Sequence, residues 1–346
     1  MLKLYTDIEF LTESHRKEVF PLLFDLHYLK NELLFNYYQL VDDASISDVV
    51  VFPIDYVRFI KFKSAFNKLQ QLAKQYQKPI WIYTGGDYGF SNYIKNSYTF
   101  RLGGFDSKLD ETTFIMPSFV NDPYSCQLPQ GFSSLKKEKE PTIGFVGNAK
   151  AGVFKYTKEL LSHFKFKFKR TMGFVLADRQ TFYPSSIKRA GYLHKLRLSK
   201  GLKTNFILRN HYRAGVQTEA DKQTSTQEFY NNVFNNAYTF CSRGVGNFSV
   251  RFYETLAVGR IPILLNTDCR LPLSDIIDWN KHIVVLDIKK KASLGSQMID
   301  FHNSISDNEF EELQKSNRNL WETHLMRPLY FIKIHDAFLN KVNRNG

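Results

Sequence analysis

The sequence predicts an α/β protein built from two doubly wound, Rossmann-like parallel-sheet domains. Three observations predict it. Short β-prone apolar runs alternate with helix-period segments along most of the chain. At 346 residues the chain is longer than one hydrophobic core usually serves. A stretch rich in turn residues and charge, PQGFSSLKKEKE at 129–140, separates two alternating halves and reads as a linker. The expected division is an N-terminal domain at 1–128, a C-terminal domain at 141–325 and a terminal helical segment at 326–346.

In the first half, Lys3 to Tyr5 and Val49 to Phe52 have the apolar character of parallel strands. Phe62 to Tyr76 is helical, with Phe66, Leu69, Leu72 and Ala73 on one face. Pro79 to Tyr83 is the next strand and runs into Thr84-Gly85-Gly86-Asp87; Phe114 to Pro117 is a further strand candidate. In the second half, Thr142 to Val146 opens a new sheet. Phe164 to Phe168 alternates Phe and Lys, which predicts a half-buried strand. Thr204 to Leu208 is a strand, and AGVQTEADKQTST at 214–226 predicts a polar loop over a cleft. Residues 307–345 are mostly helical, with Trp321, Leu325, Leu329, Phe331 and Phe338 as apolar positions.

The densest information lies between Thr226 and Asp287. Tyr238 to Cys241 is a short strand, Ser242 to Asn247 a polar glycine loop, and Ser249 to Val258 a helix that Gly259 stops. Ile261 to Leu265 is a buried strand. A strand, loop and helix in this order aim backbone N–H groups at whatever sits before the helix. Arg243, Asn247, Ser249 and Arg251 gather at that positive end, a combination suited to a diphosphate. Glu254 lies one turn beyond Arg251, where a carboxylate can accept hydrogen bonds from ribose hydroxyls. The plainer alternative for Arg251 is a surface ion pair with Glu254, worth only about 0.3–0.5 kcal/mol.

The same residues resemble the C-terminal signature of exostosin-family glycosyltransferases. The motif runs through Phe240-Cys241, Arg243-Gly244, Ser249, Arg251-Phe252, Glu254-Thr255-Leu256, Pro262, Leu271-Pro272 and Ile277-Asp278-Trp279. Weaker echoes are Ile143 to Gly147 and Ser47 to Pro53. Ser242 departs from the pattern, since animal members usually carry Pro there. The resemblance implies a GT-B fold, whose C-terminal helix crosses back to the first domain. It also implies a nucleotide-sugar donor, most often a UDP-sugar, with no cofactor and no obligatory metal.

Transfer of a sugar from a nucleoside diphosphate requires stabilisation of the leaving diphosphate and, in an inverting enzyme, a base for the acceptor proton. The chain contains no Asp-x-Asp and no HExxH, so arginines must carry the leaving group. Arg243, Ser249, Arg251 and Glu254 are the principal donor-site candidates, with Asn247 beside them. Arg209 and Arg213 follow the strand at 204–208, and Gly147 and Lys150 follow the strand at 142–146; both strand ends face the ligand crevice of a doubly wound sheet. The base candidates are Asp87 and, second, Asp55, each just past an N-terminal-domain strand, where either can instead cap a helix.

The net charge of +13 concentrates in the middle of the chain, at Lys136-Lys137, Lys165 to Arg170 and Lys188 to Lys203. A solvated basic surface is one reading; an anionic glycan, or peripheral contact with anionic membrane lipid, is the other. No nucleic-acid module is recognisable. The three cysteines form no CxxC pair and fit a reducing compartment. The first residues lack a signal-peptide pattern, and no apolar run approaches the roughly twenty residues of a membrane span. These features predict a cytoplasmic enzyme, peripheral to the inner membrane, that extends a glycan or lipid-linked glycan in bacterial surface polysaccharide synthesis. The competing expectations are a non-catalytic GT-B partner subunit that binds donor or glycan, and a nucleotide-sugar-modifying or phosphate-cleaving enzyme, for which the sequence offers no nucleophile.

Overall fold

A computed structural model describes residues 1–210, 215 and 218–345. The N-terminal domain holds β1 (Leu2–Tyr5), α1 (Pro21–His27), α2 (Glu32–Phe35), β2 (Tyr38–Val41), β3 (Val49–Val51), α3 (Tyr56–Phe59), α4 (Lys63–Gln75), β4 (Ile80–Thr84), β5 (Ser97–Arg101) and β6 (Thr113–Ile115). Its strands form one parallel sheet in the order β2-β1-β3-β4-β5-β6. The C-terminal domain holds β7 (Thr142–Asn148), α5 (Val153–Thr171), α6 (Ser185–Arg197), β8 (Lys203–Arg209), α7 (Glu219–Asn235), β9 (Tyr238–Cys241), α8 (Val250–Ala257), β10 (Ile261–Leu265), β11 (Val284–Leu286), α9 (Leu294–Ser304), α10 (Asp307–Leu320) and α11 (Arg327–Asn345). Its sheet is also parallel, in the order β11-β10-β9-β7-β8.

Two parallel sheets joined by an irregular segment give the expected GT-B arrangement. Strands such as β3, β9 and β10 are buried at every position, which is why they read as continuous apolar runs. The segment at 129–141 is strapped to the second domain: Leu135 exchanges hydrogen bonds with the Gln314 side chain, and Lys137 Nζ donates to Ile305 O at 2.6 Å. The last helix returns to the first domain. Tyr330, Phe331, Ile334 and Phe338 of α11 enter the core built on β1 and β3–β5, each burial worth roughly 1.5–3 kcal/mol. Tyr38 Oη donates to Phe331 O, Tyr330 Oη donates to Ile115 O, and Arg327 pairs with the buried Asp25.

Three local expectations are corrected. Phe164 to Phe168 is not a strand but part of α5, a helix of 19 residues. A period-2 run of five residues is too short to outweigh the helical spacing around it. Residues 219–226 are not loop but the first turns of α7, capped by Thr218, whose hydroxyl accepts from Asp221 N at 3.1 Å. Of the apolar tail positions, Trp321 and Leu325 pack in the second domain, beside Phe252 and Leu256, and not on the first.

Candidate functional site

The carboxyl ends of the two sheets face each other, and their loops interlock. A Cβ on Gly246, in the loop after β9, would lie 2.2 Å from the carbonyl oxygen of Asp87, in the loop after β4. Only glycine admits that approach. Phe105 bridges Cys269 in antiparallel fashion, and Arg270 donates to Asp106 and to neighbouring carbonyls. Arg101, at the end of β5, pairs with Asp178 at 2.8 Å and donates to Tyr88 O. Asp178 in turn accepts from Ser91 N at 2.7 Å. Between these contacts lies a cavity of about 390 Å³ lined by residues of both domains, including Asp87, Tyr88, Arg101, Lys108, Arg179 and Asn247.

The arginine site lies outside the lining of this cavity, at the carboxyl edge of the second sheet. It sits where β7 has β8 on one side and β9 on the other, the switch point of the strand order. Arg251, in the first turn of α8, donates Nη2 to Val146 O at 2.7 Å and stacks over Phe145, its Cζ 4.3 Å from the ring centroid. Its Nε is buried without a partner. Burial lowers its pKa, and Arg209 adds to that. Gly147 makes room for it: a Cβ there would lie 2.7 Å from Nη2.

Beside it stands Arg189, from α6. Its Nε donates to Ser242 Oγ at 3.0 Å, Nη1 to Asn148 O at 2.7 Å and Nη2 to Arg243 O at 3.2 Å. Burial, with Arg251 adding to it, brings its pKa down to about 10. Among the described residues, no carboxylate lies within 4.0 Å of either guanidinium. Ser249 occupies the N-cap position of α8, yet its hydroxyl makes no capping bond. Glu254 does not pair with Arg251. Burial pushes its carboxyl up to about 7, against the pull of Arg251. Lys150 lies exposed beyond the end of β7.

The other candidates are committed elsewhere. Arg209 donates to Ser225 and pairs with Glu228 of α7, so its charge is already answered. Arg243 is sandwiched between Tyr183, at 4.6 Å, and Phe105 of the first domain, at 5.1 Å. Its Nη2 donates to Val245 O. Asn247 Nδ2 lies 3.0 Å from the carbonyl oxygens of Gly104, Thr267 and Asp268, and Oδ1 accepts from Thr267. Its side-chain amide has no donor left for a phosphate; it staples the two domains together. Asp55 caps α3 through Val57 N and holds the Gly85 turn through Gly85 N at 2.7 Å. Asp87 is exposed at the cavity wall. Arg213 lies outside the described residues.

Sequence reasoning missed Arg189, which it placed only within a basic run read as solvated surface or as a contact for anionic glycan or lipid. A signal was available: Arg189 falls in register with Tyr192, Leu193 and Leu196, the buried face of α6.

Residues 168–297, which hold Arg189, Arg209, Arg243, Ser249, Arg251 and Glu254, match the family model of the Exostosin GT47 domain. An exostosin-like segment thus occupies residues 168–297. The chain is similar over 101 residues, at 33% identity, to an exostosin-1 homolog of Caenorhabditis elegans, covering 28% of this chain and 25% of that protein. It is similar over 126 residues, at 30% identity, to exostosin-1 of Bos taurus, covering 34% of this chain and 16% of that protein. The chain thus spans a quarter or less of the length of these curated relatives. Among solved structures, a glycosyltransferase from Rickettsia africae ESF-5 is 14% identical with a TM-score of 0.38, covering 97% of this chain and 98% of that one. AviGT4, a glycosyltransferase involved in avilamycin A biosynthesis, is 9% identical with a TM-score of 0.34, covering 98% of both chains. Gly147, Lys150, Asp55 and Asp87 all lie outside the matched exostosin segment.

Proposed function

We propose that the protein is a glycosyltransferase that moves a sugar from a nucleoside diphosphate sugar, a UDP-sugar first among them, to a hydroxyl of a glycan acceptor without a metal ion. One observation carries this reading. Arg189 and Arg251 place two half-buried cations side by side at the switch point of a parallel sheet, with no carboxylate of the described residues in ion-pair contact; Glu159 and Glu254 offset them only from farther off. Buried like charges are costly unless a counter-charge arrives. A diphosphate supplies one, and the departing diphosphate gathers more negative charge as the sugar leaves. Ser249 Oγ and the N-terminus of α8 add donors. Glu254 would accept from ribose hydroxyls in this reading.

In this reading the reaction is inverting and Asp87 is the base. It is exposed on the cavity wall of the opposite domain, whereas Asp55 already serves two backbone N–H groups. The acceptor would enter the interdomain cavity, in keeping with assembly of a surface polysaccharide. Calorimetric titration of UDP with and without EDTA tests the donor site. Equal affinity in both is expected; loss of binding in EDTA would overturn the metal-free reading, and no binding in either would overturn the donor site itself.

A further inference from the structure

We propose that α5 is a peripheral membrane anchor that lies flat on an anionic lipid bilayer. This helix buries none of its residues, although it is 19 residues long and rich in phenylalanine. At 100° per residue, Phe154, Leu161, Phe164 and Phe168 fall on one stripe, and they are 84%, 69%, 56% and 64% exposed. Val153 and Met172 extend the stripe at its two ends and are also exposed. The opposite face is the one the protein holds. Lys155 pairs with Glu159, the His163 ring packs on Phe182, Phe166 packs on Tyr88, and Arg170 Nε donates to Ala177 O. The apolar stripe therefore points straight away from the molecule. Soluble proteins seldom leave such a stripe uncovered.

The charges choose the occupant. Lys158, Lys165 and Lys169 flank the stripe on one side and Lys167 on the other, all exposed. Their stems can lie along the apolar face while the ammonium groups reach outward to lipid phosphates. Glu159 is the single carboxylate on the helix, and it faces inward. A second copy meeting this stripe would set lysines against lysines, whereas an anionic bilayer offers apolar depth and the opposite charge together. Among the described residues, no helix is long and apolar enough to cross a membrane, so the attachment is to one surface. Phe166 touches Tyr88, and Arg170, Gly173 and Leu176 line the interdomain cavity, so the same contact brings the cavity close to the lipid.

Co-sedimentation of the full chain with vesicles tests the proposal independently of any transfer activity. The chain is expected to sediment with vesicles of phosphatidylcholine and phosphatidylglycerol, to bind pure phosphatidylcholine at least tenfold less, and to be released as salt rises. Phe164→Ser with Phe168→Ser, and separately Lys165→Glu with Lys167→Glu, should each lower binding to anionic vesicles at least tenfold, with little change in melting temperature because these side chains are more than half exposed or lie at the surface. Failure of the wild type to sediment with anionic vesicles overturns the proposal, as does wild-type binding by the phenylalanine variant. A dimer in sedimentation velocity that the phenylalanine variant abolishes, without vesicle binding, overturns it in favour of a second copy.

Discussion

The guanidinium of Arg251 occupies the space that a side chain on Gly147 would need. A Cβ at Gly147, whose φ is +155°, would stand 2.7 Å from Arg251 Nη2 and 3.3 Å from Phe145. Arg251 cannot simply swing aside, since Val146 O and the Phe145 ring hold it. Gly147→Ala should therefore dislodge Arg251 and weaken UDP binding about tenfold or more by calorimetry. Wild-type affinity in this variant would place the nucleotide elsewhere.

Arg189→Ala and Arg251→Ala should each weaken UDP binding by about 10–100-fold, as loss of a charge-assisted hydrogen bond of roughly 1.5–3 kcal/mol requires. Their melting temperatures should fall only modestly, because relief of a desolvated cation offsets part of the loss of the hydrogen bonds to Ser242, Asn148 O and Arg243 O, or to Val146 O. A large fall in melting temperature with intact UDP affinity would make the residue structural.

Glu254 gives the site a pH dependence near neutrality. Its carboxyl titrates at about 7 in the fold because of burial. An acid whose folded pKa is raised binds its proton more tightly when folded. The stability it contributes is greatest below about 4.5 and declines as pH rises toward 7. Acceptance of two ribose hydroxyls needs the ionised form, so affinity for UDP should rise between pH 6 and pH 8. Glu254→Gln should flatten that profile and lose more affinity for UDP than for its 2′-deoxy counterpart. An unchanged profile in the variant would remove Glu254 from the ribose.

The two aspartates should separate cleanly. Asp87→Asn should abolish transfer and leave UDP binding near wild type, since the proposed donor site lies on the other domain. Asp55→Ala should lower stability by about 0.5–2 kcal/mol, the usual cost of a lost helix cap, as measured by denaturant unfolding. Substantial transfer by Asp87→Asn would return the base to an open question and favour a retaining route.

Most of the sheet framework was legible because parallel strands buried on both faces are nearly uninterrupted apolar runs, as in Tyr238–Cys241 and Ile261–Leu265. Tyr38–Val41 and Ser97–Arg101 were not legible, for they mix aromatic and polar residues and gain strand character only from neighbours distant in sequence. The same division holds at the site. The local motif from Arg243 to Glu254 placed Arg251 and Glu254 at the start of α8. It could not reveal that Asn247 serves three carbonyls on two separate segments, one of them in the other domain. Those partners are brought together by tertiary structure, and no spacing along the chain encodes them. Arg189 lay between these cases, visible in the periodicity of α6 but hidden by the lysines around it.

The return of α11 to the first sheet has a consequence for how such a protein can be divided. A fragment ending at 128 would lack Tyr330, Phe331, Ile334 and Phe338, and would bare the apolar ground they cover, together with the buried carboxylate of Asp25. The N-terminal half is thus assembled from both extremities of the polypeptide. A chimaera joined only at the linker would inherit a tail fitted to the wrong neighbour. To graft a different first domain onto this second one, two junctions are needed, and α11 must travel with the sheet it completes.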